Sequence, residues 1–581
     1  MRFDVAFDVP VRMTDGTELS TNVWRPMTPE PVPVLLVRTP YSKETIGQLG
    51  GTSPNLFAMM RAGYAVAFQD CRGTFGSDGI FVPHVHDAAD GADTISWLAA
   101  QEWCNGNVGM WGPSYLGFVQ WQAAATGVPA LKAIAPAVTS ADLYRAPWHS
   151  PGGAMSLDTT LAWATMMSLN EARRAVAEGR DAGLNIPQLA ASLADRTLLT
   201  EHTPVAEHPL ISKYLPWIAD IAIGHASRDE AWEQVAALDA VESITTPALH
   251  IGGWYDVFIG ETLRAYTEMK AHAGSEQARS GQRLIVGPWS HNASGFLGYF
   301  PDRGFGITAS ADAALLTEPQ IAFFDRWLKR QADALDGREP VRLFVMGVDQ
   351  WRDEPDWPLP DTEYTSYYLR GAGPANTAGG AGALSPAEPT DEFVDTYLYD
   401  PRRPVPSLGG TMMNMGGYDG PADQRPVHDR DDVLVFVSDV LDESLEVTGP
   451  VTATLFVSSS APDTDFTAKL VDVHPDGRAI ILCEGIQRMR YRNSLTEPEP
   501  LTPDTVYEIA IDLIATANVF LPGHQIMVEV SSSNFPRYDR NSNTGKVIAQ
   551  EHLAEMAVAV NRVHRGAEYP SRVTLPVIRR Y

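Results

Sequence analysis

The feature that most restricts this chain is a series of short apolar runs, each closed within a few residues by glycine or a polar turn. Val32 to Val37 reads VPVLLV, Tyr64 to Phe68 reads YAVAF, Val108 to Trp111 reads VGMW and Leu131 to Ala137 reads LKAIAPA. Two more come later, Ala248 to Ile251 (ALHI) and Arg283 to Val286 (RLIV), each followed directly by glycine. Such runs are short for helices and lack the in–out alternation of a half-exposed strand. They suit strands buried on both faces, the condition inside a parallel sheet flanked by helices. Ile95 to Ala100 (ISWLAA) supplies an amphipathic helix between two of them. The expected fold is therefore α/β, with a doubly wound sheet.

The strand pattern breaks off between residues 143 and 240. This segment is rich in Ala, Leu, Met and Trp and poor in β-branched runs, so a helical cap over the carboxyl edge of the sheet is expected. Beyond Trp351 the texture changes again. Gly371 to Gly382 reads as a Gly/Ala-rich, linker-like loop. After Asp431 come short alternating runs such as VTATLFVSS, FTAKLVDV and HQIMVEVSSS, spaced by turn residues as in a β jelly roll. The organisation expected is an α/β domain in two parts, residues 1–142 and 241–350, an inserted cap at 143–240 and a jelly roll at 351–581.

Lys and Arg number 44 against 72 Asp and Glu, a net charge of −28. Such a surface repels phosphate backbones and anionic bilayers, so neither nucleic acid nor membrane is an expected partner. No run approaches the roughly 20 apolar residues of a membrane span. The opening Met1-Arg2-Phe3-Asp4-Val5 leads into no signal-peptide core, and a cytoplasmic location is expected. Cys71, Cys104 and Cys483 show no metal-ligand spacing and leave room for one disulfide at most.

Asn107 to Gly117 (NVGMWGPSYLG) carries the most chemical information. A serine hydroxyl becomes a nucleophile only when exposed, aimed and served by a base. A tight strand-to-helix turn at Ser114 would provide exposure and aim, and would point the N–H of Tyr115 at a developing oxyanion. The segment departs from G-x-S-x-G, because Leu116 precedes the glycine at 117. By pattern alone an incidental serine in a Gly/Pro turn is an equal reading. Asp256 and His291 follow the two late strands, in the chain order serine, acid, histidine of α/β-hydrolases. Each taken singly also reads as a helix cap or a surface loop residue.

The sequence Gly-x-Ser-Tyr-x-Gly resembles the elbow of the cocaine esterase and Xaa-Pro dipeptidyl-peptidase family of α/β-hydrolases, which includes α-amino-acid ester hydrolases and glutaryl acylases. The segments around Gly253-Trp254-Tyr255-Asp256 and Gly287-Pro288-Trp289-Ser290-His291 look like the same family. So do Phe81 to His84, Tyr144 to Trp148 and Asn518 to Gly545. The resemblance implies an α/β-hydrolase domain with an inserted helical cap and a C-terminal β jelly-roll domain. It implies a catalytic triad of Ser114, Asp256 and His291, and an oxyanion hole from Tyr41 and the Tyr115 N–H. It also implies a substrate pocket lined by Trp148, Trp163, Phe258 and Met413. The sequence departs from the family at Asn414 and across Ile46 to Thr52.

The activity expected is that of a serine carboxylesterase acting on small esters, aryl or benzoyl esters among them, with no cofactor and no metal. The partner expected is the ester itself, with a homodimer left open. Dipeptidyl-peptidase or amino-acid ester hydrolase activity is the alternative on the same triad. It needs carboxylates for a free amino group, with Asp158 and Glu171 on the cap as candidates. Two readings come from other classes: a metal-dependent hydrolase using His84, His86, Asp87, Asp90 and Asp93, and a binding protein whose jelly roll grips a sugar or partner.

Overall fold

The computed structural model describes residues 2–46, 51–179, 186–209, 220, 224–292, 295–312, 316–390, 392–413 and 419–580. Ten strands form one sheet: β1 (Phe3–Arg12), β2 (Glu18–Pro26), β3 (Val32–Thr39), β4 (Ala65–Asp70), β5 (Cys104–Pro113), β6 (Leu131–Ala137), β7 (Leu249–Tyr255), β8 (Arg283–Ser290), β9 (Val341–Val345) and β10 (Gln350–Glu354). Their spatial order is β1-β2-β4-β3-β5-β6-β7-β8-β9-β10. Pairing is parallel from β4 to β9 and antiparallel at both edges. The six apolar runs are β3 to β8, and every residue of β4 and β7 is buried. Helices α1 (Asp87–Ala99) and α2 (Tyr115–Ala125) pack on β5.

The sheet extends further than the apolar runs do. The β1–β2 hairpin widens one edge; its register slips between Ala6 and Val9, which breaks the alternation that would mark β1 as a strand. At the other edge β10 crosses residue 351, where the composition changes. Between β6 and β7 the described residues are largely helical, led by the 21-residue α3 (Leu157–Ala177). No described helix is long and apolar enough to cross a membrane.

Eleven further strands, from Glu363–Arg370 to Arg572–Ile578, build the jelly roll. Its longest pairing joins Leu445–Ser459 to Tyr507–Phe520. The Gly371 to Gly382 stretch is no linker. It connects the antiparallel strands Glu363–Arg370 and Ala383–Ser385, and Ala375 within it is fully buried with its N–H on Asp395 Oδ1 at 2.8 Å.

The two β systems are joined by backbone. Met346, the residue after β9, donates its N–H to Ala517 O, and Val519 N–H donates to Met346 O, each at 2.9 Å. Gly347 then turns away with φ +83°, and a Cβ there would lie 2.1 Å from Val519 O. Both the left-handed backbone and the missing Cβ are required at this crossing. Gly347→Ala is expected to lower stability by about 1–3 kcal/mol or more, read as a lower urea midpoint by tryptophan fluorescence.

Candidate active site

Four loops converge at the carboxyl edge of the sheet. Tyr41 follows β3, Ser114 follows β5, Asp256 follows β7 and His291 follows β8. Because β5 lies between β3 and the β7–β8 pair, Ser114 has the tyrosine on one side and the acid and histidine on the other. This edge is where ligands bind in open parallel sheets.

Ser114 sits at φ 58°, ψ −126°, a strained conformation for a residue with a Cβ. Its own amide groups hold it there. Ser114 N–H donates to Ala137 O at 2.9 Å, and its carbonyl accepts from Gly117 N–H (2.8 Å), Phe118 N–H (3.0 Å) and Thr139 Oγ1 (2.6 Å). Two glycines make room for the turn. Gly112 has φ +145°, and a Cβ on it would come within 2.6 Å of Leu116 Cβ. A Cβ on Gly117 would lie 2.5 Å from Thr139 Cγ2. The displaced second glycine of the elbow thus has a physical cause: at 117 the helix touches the loop after β6.

The three triad candidates form a hydrogen-bonded series. His291 Nε2 lies 3.1 Å from Ser114 Oγ, and His291 Nδ1 lies 2.8 Å from Asp256 Oδ2. Asp256 is wholly buried, and its second oxygen accepts from Phe258 N–H at 2.7 Å. A carboxylate at Nδ1 places the ring proton there and leaves the Nε2 lone pair facing the serine. Such a series can take the Ser114 proton as the hydroxyl attacks.

Donors stand ready on the other side. The Tyr115 N–H opens α2, where the first amides have no partner one turn back. Tyr41 is fixed through its N–H on Thr39 Oγ1 at 3.0 Å and by Lys43 N–H on Asp70 Oδ1 at 2.7 Å. Trp163 Nε1 of the cap donates to Tyr41 Oη at 2.9 Å. With its oxygen accepting from the indole, the Tyr41 hydroxyl keeps its proton free to be donated on the Ser114 side of the site. Burial raises the phenol pKa to about 12, so the hydroxyl keeps its proton as a donor.

A pocket opens beside Ser114, and Trp148, Trp163, Phe258 and Met413 all line it. Phe118 and Leu143 add to its apolar wall. Asn414 and residues 47–50, where the sequence departs from its family, lie outside the described residues.

Several contacts were not readable from sequence. Asp158 on the cap is gripped by Arg196, with Nε at 2.9 Å and Nη2 at 2.6 Å from its two oxygens, and Arg196 Nη2 also donates to Met413 O at 3.1 Å. Glu171 pairs with Arg174. Asp419, buried and held up in pKa by that burial, lies against Ser290 and Asn292, the neighbours of His291. The acids of the His84 to Asp93 segment do not gather as a ligand set. Asp87 accepts from Tyr115 Oη at 2.6 Å, Asp90 pairs with Arg72, and Asp93 accepts from Thr14. Among the described residues the one group spaced for a metal is Asp472, His474 and His524, on the jelly roll.

Residues 15–293 match the X-Pro dipeptidyl-peptidase (S15 family), and residues 333–574 match the X-Pro dipeptidyl-peptidase C-terminal non-catalytic domain. The chain is 54% identical to the cocaine esterase of Rhodococcus sp. (strain MB1 Bresler), over 100% of this chain and 99% of that protein. The chain belongs to the cocaine esterase and X-Pro dipeptidyl-peptidase family of α/β-hydrolases. Solved structures agree. An α-amino acid ester hydrolase superposes with a TM-score of 0.82 at 26% identity, covering 99% of this chain and 97% of that one. An aminopeptidase from the marine sediment archaeon Thaumarchaeota archaeon also gives 0.82 at 26% identity, covering 99% and 96%. The first matched region carries β2 to β8 of the large sheet, and the second carries β9, β10 and most of the jelly roll.

The geometry of this family member sets three tests. Tyr41→Phe should lower kcat by about 10²–10³ with an unchanged far-UV spectrum. Trp163→Phe, which removes the indole N–H together with part of the ring, should cost about tenfold or more by loosening the phenol. Gly117→Ala forces Thr139 away from the Ser114 carbonyl and should lower kcat more than KM is changed, measured on the same ester.

Proposed function

We propose that this chain hydrolyses small carboxylic esters with an apolar, aromatic acyl group, through an acyl-enzyme on Ser114. The observation that carries the reading is the serine–histidine–aspartate series opening into an aromatic-walled cavity, with the cap carboxylate Asp158 paired to Arg196. A peptidase or amino-acid esterase of this fold needs an unpaired carboxylate for the substrate's ammonium. Asp158 and Glu171, the two candidates, both have arginine partners. An aryl ring instead gains area burial and edge-to-face contact from Trp148 and Trp163, whose rings stand 5.2 Å apart at 65°.

In the proposed cycle His291 Nε2 takes the Ser114 proton as Oγ bonds to the acyl carbon. Tyr41 Oη–H and Tyr115 N–H hold the negative oxygen of the tetrahedral species. The C–O bond to the alcohol then breaks, and His291 returns its proton to that alcohol. Water adds to the acyl-serine by the same route, releasing the acid and restoring Ser114. The three cysteines are free thiols, which supports a reducing, cytoplasmic setting.

Fluorophosphonate is expected to label Ser114, identified by peptide mass, and Ser114→Ala should lose on the order of 10⁴-fold or more in turnover. Alkyl and aryl benzoates should be cleaved at least about a hundredfold better in kcat/KM than free-amine aminoacyl esters or dipeptide anilides. A preference for the free amine over its acetylated analogue would overturn the ester reading and favour the peptidase branch.

A further inference from the structure

One polar residue in the Ser114 cavity is unexplained by the proposed cycle. His84 lines that cavity, yet it is only 7% exposed and neither ring nitrogen has a hydrogen-bond partner among the described residues. It is held firmly. Its backbone sits at φ +71°, and its N–H donates to Tyr115 Oη at 3.1 Å. Its ring stacks on Tyr115 at 5.1 Å and 24°, meets the Phe118 ring edge-on at 4.7 Å, and lies nearly parallel to Trp163 at 6.3 Å. Burial lowers its pKa to about 3, so the imidazole is neutral at working pH and offers one N–H donor and one lone pair.

A buried polar group without a partner is costly and uncommon in a folded protein. A wall meant only for an unsubstituted ring would be served by phenylalanine or leucine at this position. The left-handed backbone at a non-glycine residue shows that the surroundings impose this placement. A neutral imidazole complements a group that both donates and accepts at one atom, and a hydroxyl is the smallest such group. Resting on the aryl ester reading above, we propose that His84 forms a polar subsite in the acyl cavity for a hydroxyl group carried on the aromatic ring, so that hydroxybenzoyl esters are preferred over benzoyl esters.

The test is a kcat/KM series near neutral pH on the methyl esters of benzoate, the three hydroxybenzoates and the three methoxybenzoates, in which each hydroxy and methoxy pair shares nearly the same ring electronics. The methoxy compounds keep the acceptor oxygen and lose the proton. For the intact enzyme at least one hydroxy isomer should exceed both benzoate and its own methoxy analogue by about tenfold or more. In His84→Phe the hydroxy-to-benzoate ratio should fall to about one or below, whatever the overall rate, and His84→Gln should keep part of the preference. The ratio within each enzyme is the readout, so a general loss of activity does not obscure it.

Should His84→Phe fail to fold, the series on the unaltered enzyme decides alone. Benzoate cleaved as well as every hydroxy isomer overturns the subsite, and so does a preference that survives in His84→Phe. Failure to cleave any aryl ester, with Ser114 still labelled by fluorophosphonate, would instead overturn the acyl-group reading beneath it.

Discussion

The site depends on one strained turn. Ser114 must leave the end of β5 with a positive φ so that its hydroxyl stands clear of the sheet, and such a conformation costs on the order of 1–3 kcal/mol in a residue with a side chain. The backbone around it over-determines that shape, with one amide bond to Ala137 and three donors on the serine carbonyl. Thr139 is the link that matters most for position, because it ties the turn to the loop after β6 and presses on Gly117. Once the turn is set, strand order does the rest. The phenol arrives from β3 on one flank, while the imidazole and carboxylate arrive from β8 and β7 on the other.

Behind the turn lies a buried charge network that keeps the oxyanion side rigid. Tyr115 donates to Asp87, whose carboxyl is pushed up by burial and drawn down by Arg38. Arg38 reaches the Asp87 carbonyl at 2.8 Å and Gln69 at 3.0 Å, and Asp90 completes the set through Arg72. These acids open α1, where the helix dipole also favours them. The cluster that reads in sequence as a ligand motif therefore anchors the side chain of Tyr115, the residue directly after Ser114. Removing either charge from such a buried pair would leave its partner uncompensated, which is why these networks hold their geometry closely.

Six strands of the large sheet and the convergence of Ser114, Asp256 and His291 at its edge were legible in the sequence for a shared reason. A strand buried on both faces must be apolar throughout, and a functional loop at its carboxyl end must break that run with glycine and polar residues. VPVLLV, ALHI and RLIV therefore announce both the strand and the place to look for Tyr41, Asp256 and His291. The β1–β2 hairpin stayed hidden because a register slip at Ala6–Val9 breaks its alternation. The Gly371 to Gly382 stretch misled because glycine composition does not tell a tether from a tight connection between paired strands. The helical cap was legible only as a composition. Its decisive contacts, Trp163 on Tyr41 and Arg196 on Asp158, are side-chain bonds spanning 122 and 38 residues of chain, and no local pattern encodes them.

Those two cap contacts also bear on how one scaffold can serve different substrates. Tyr41, Ser114, Asp256 and His291 come from strand ends, whose spacing is fixed by backbone ladders. The acyl cavity takes Trp148, Thr159 and Trp163 from the cap and Met413 from the loop after the jelly roll's first strands, none of them in the sheet. Arg196 spans that gap, binding Asp158 on one element and the Met413 carbonyl on the other. A forked guanidinium can hold both at once, which a lysine cannot do with the same geometry. Its charge pairs with Asp158, one of the two cap carboxylates considered for an ammonium, and its reach joins the walls that an aryl ring would touch. On the proposed aryl ester reading, selectivity against a free amine and closure of the aromatic pocket would be two consequences of a single side chain.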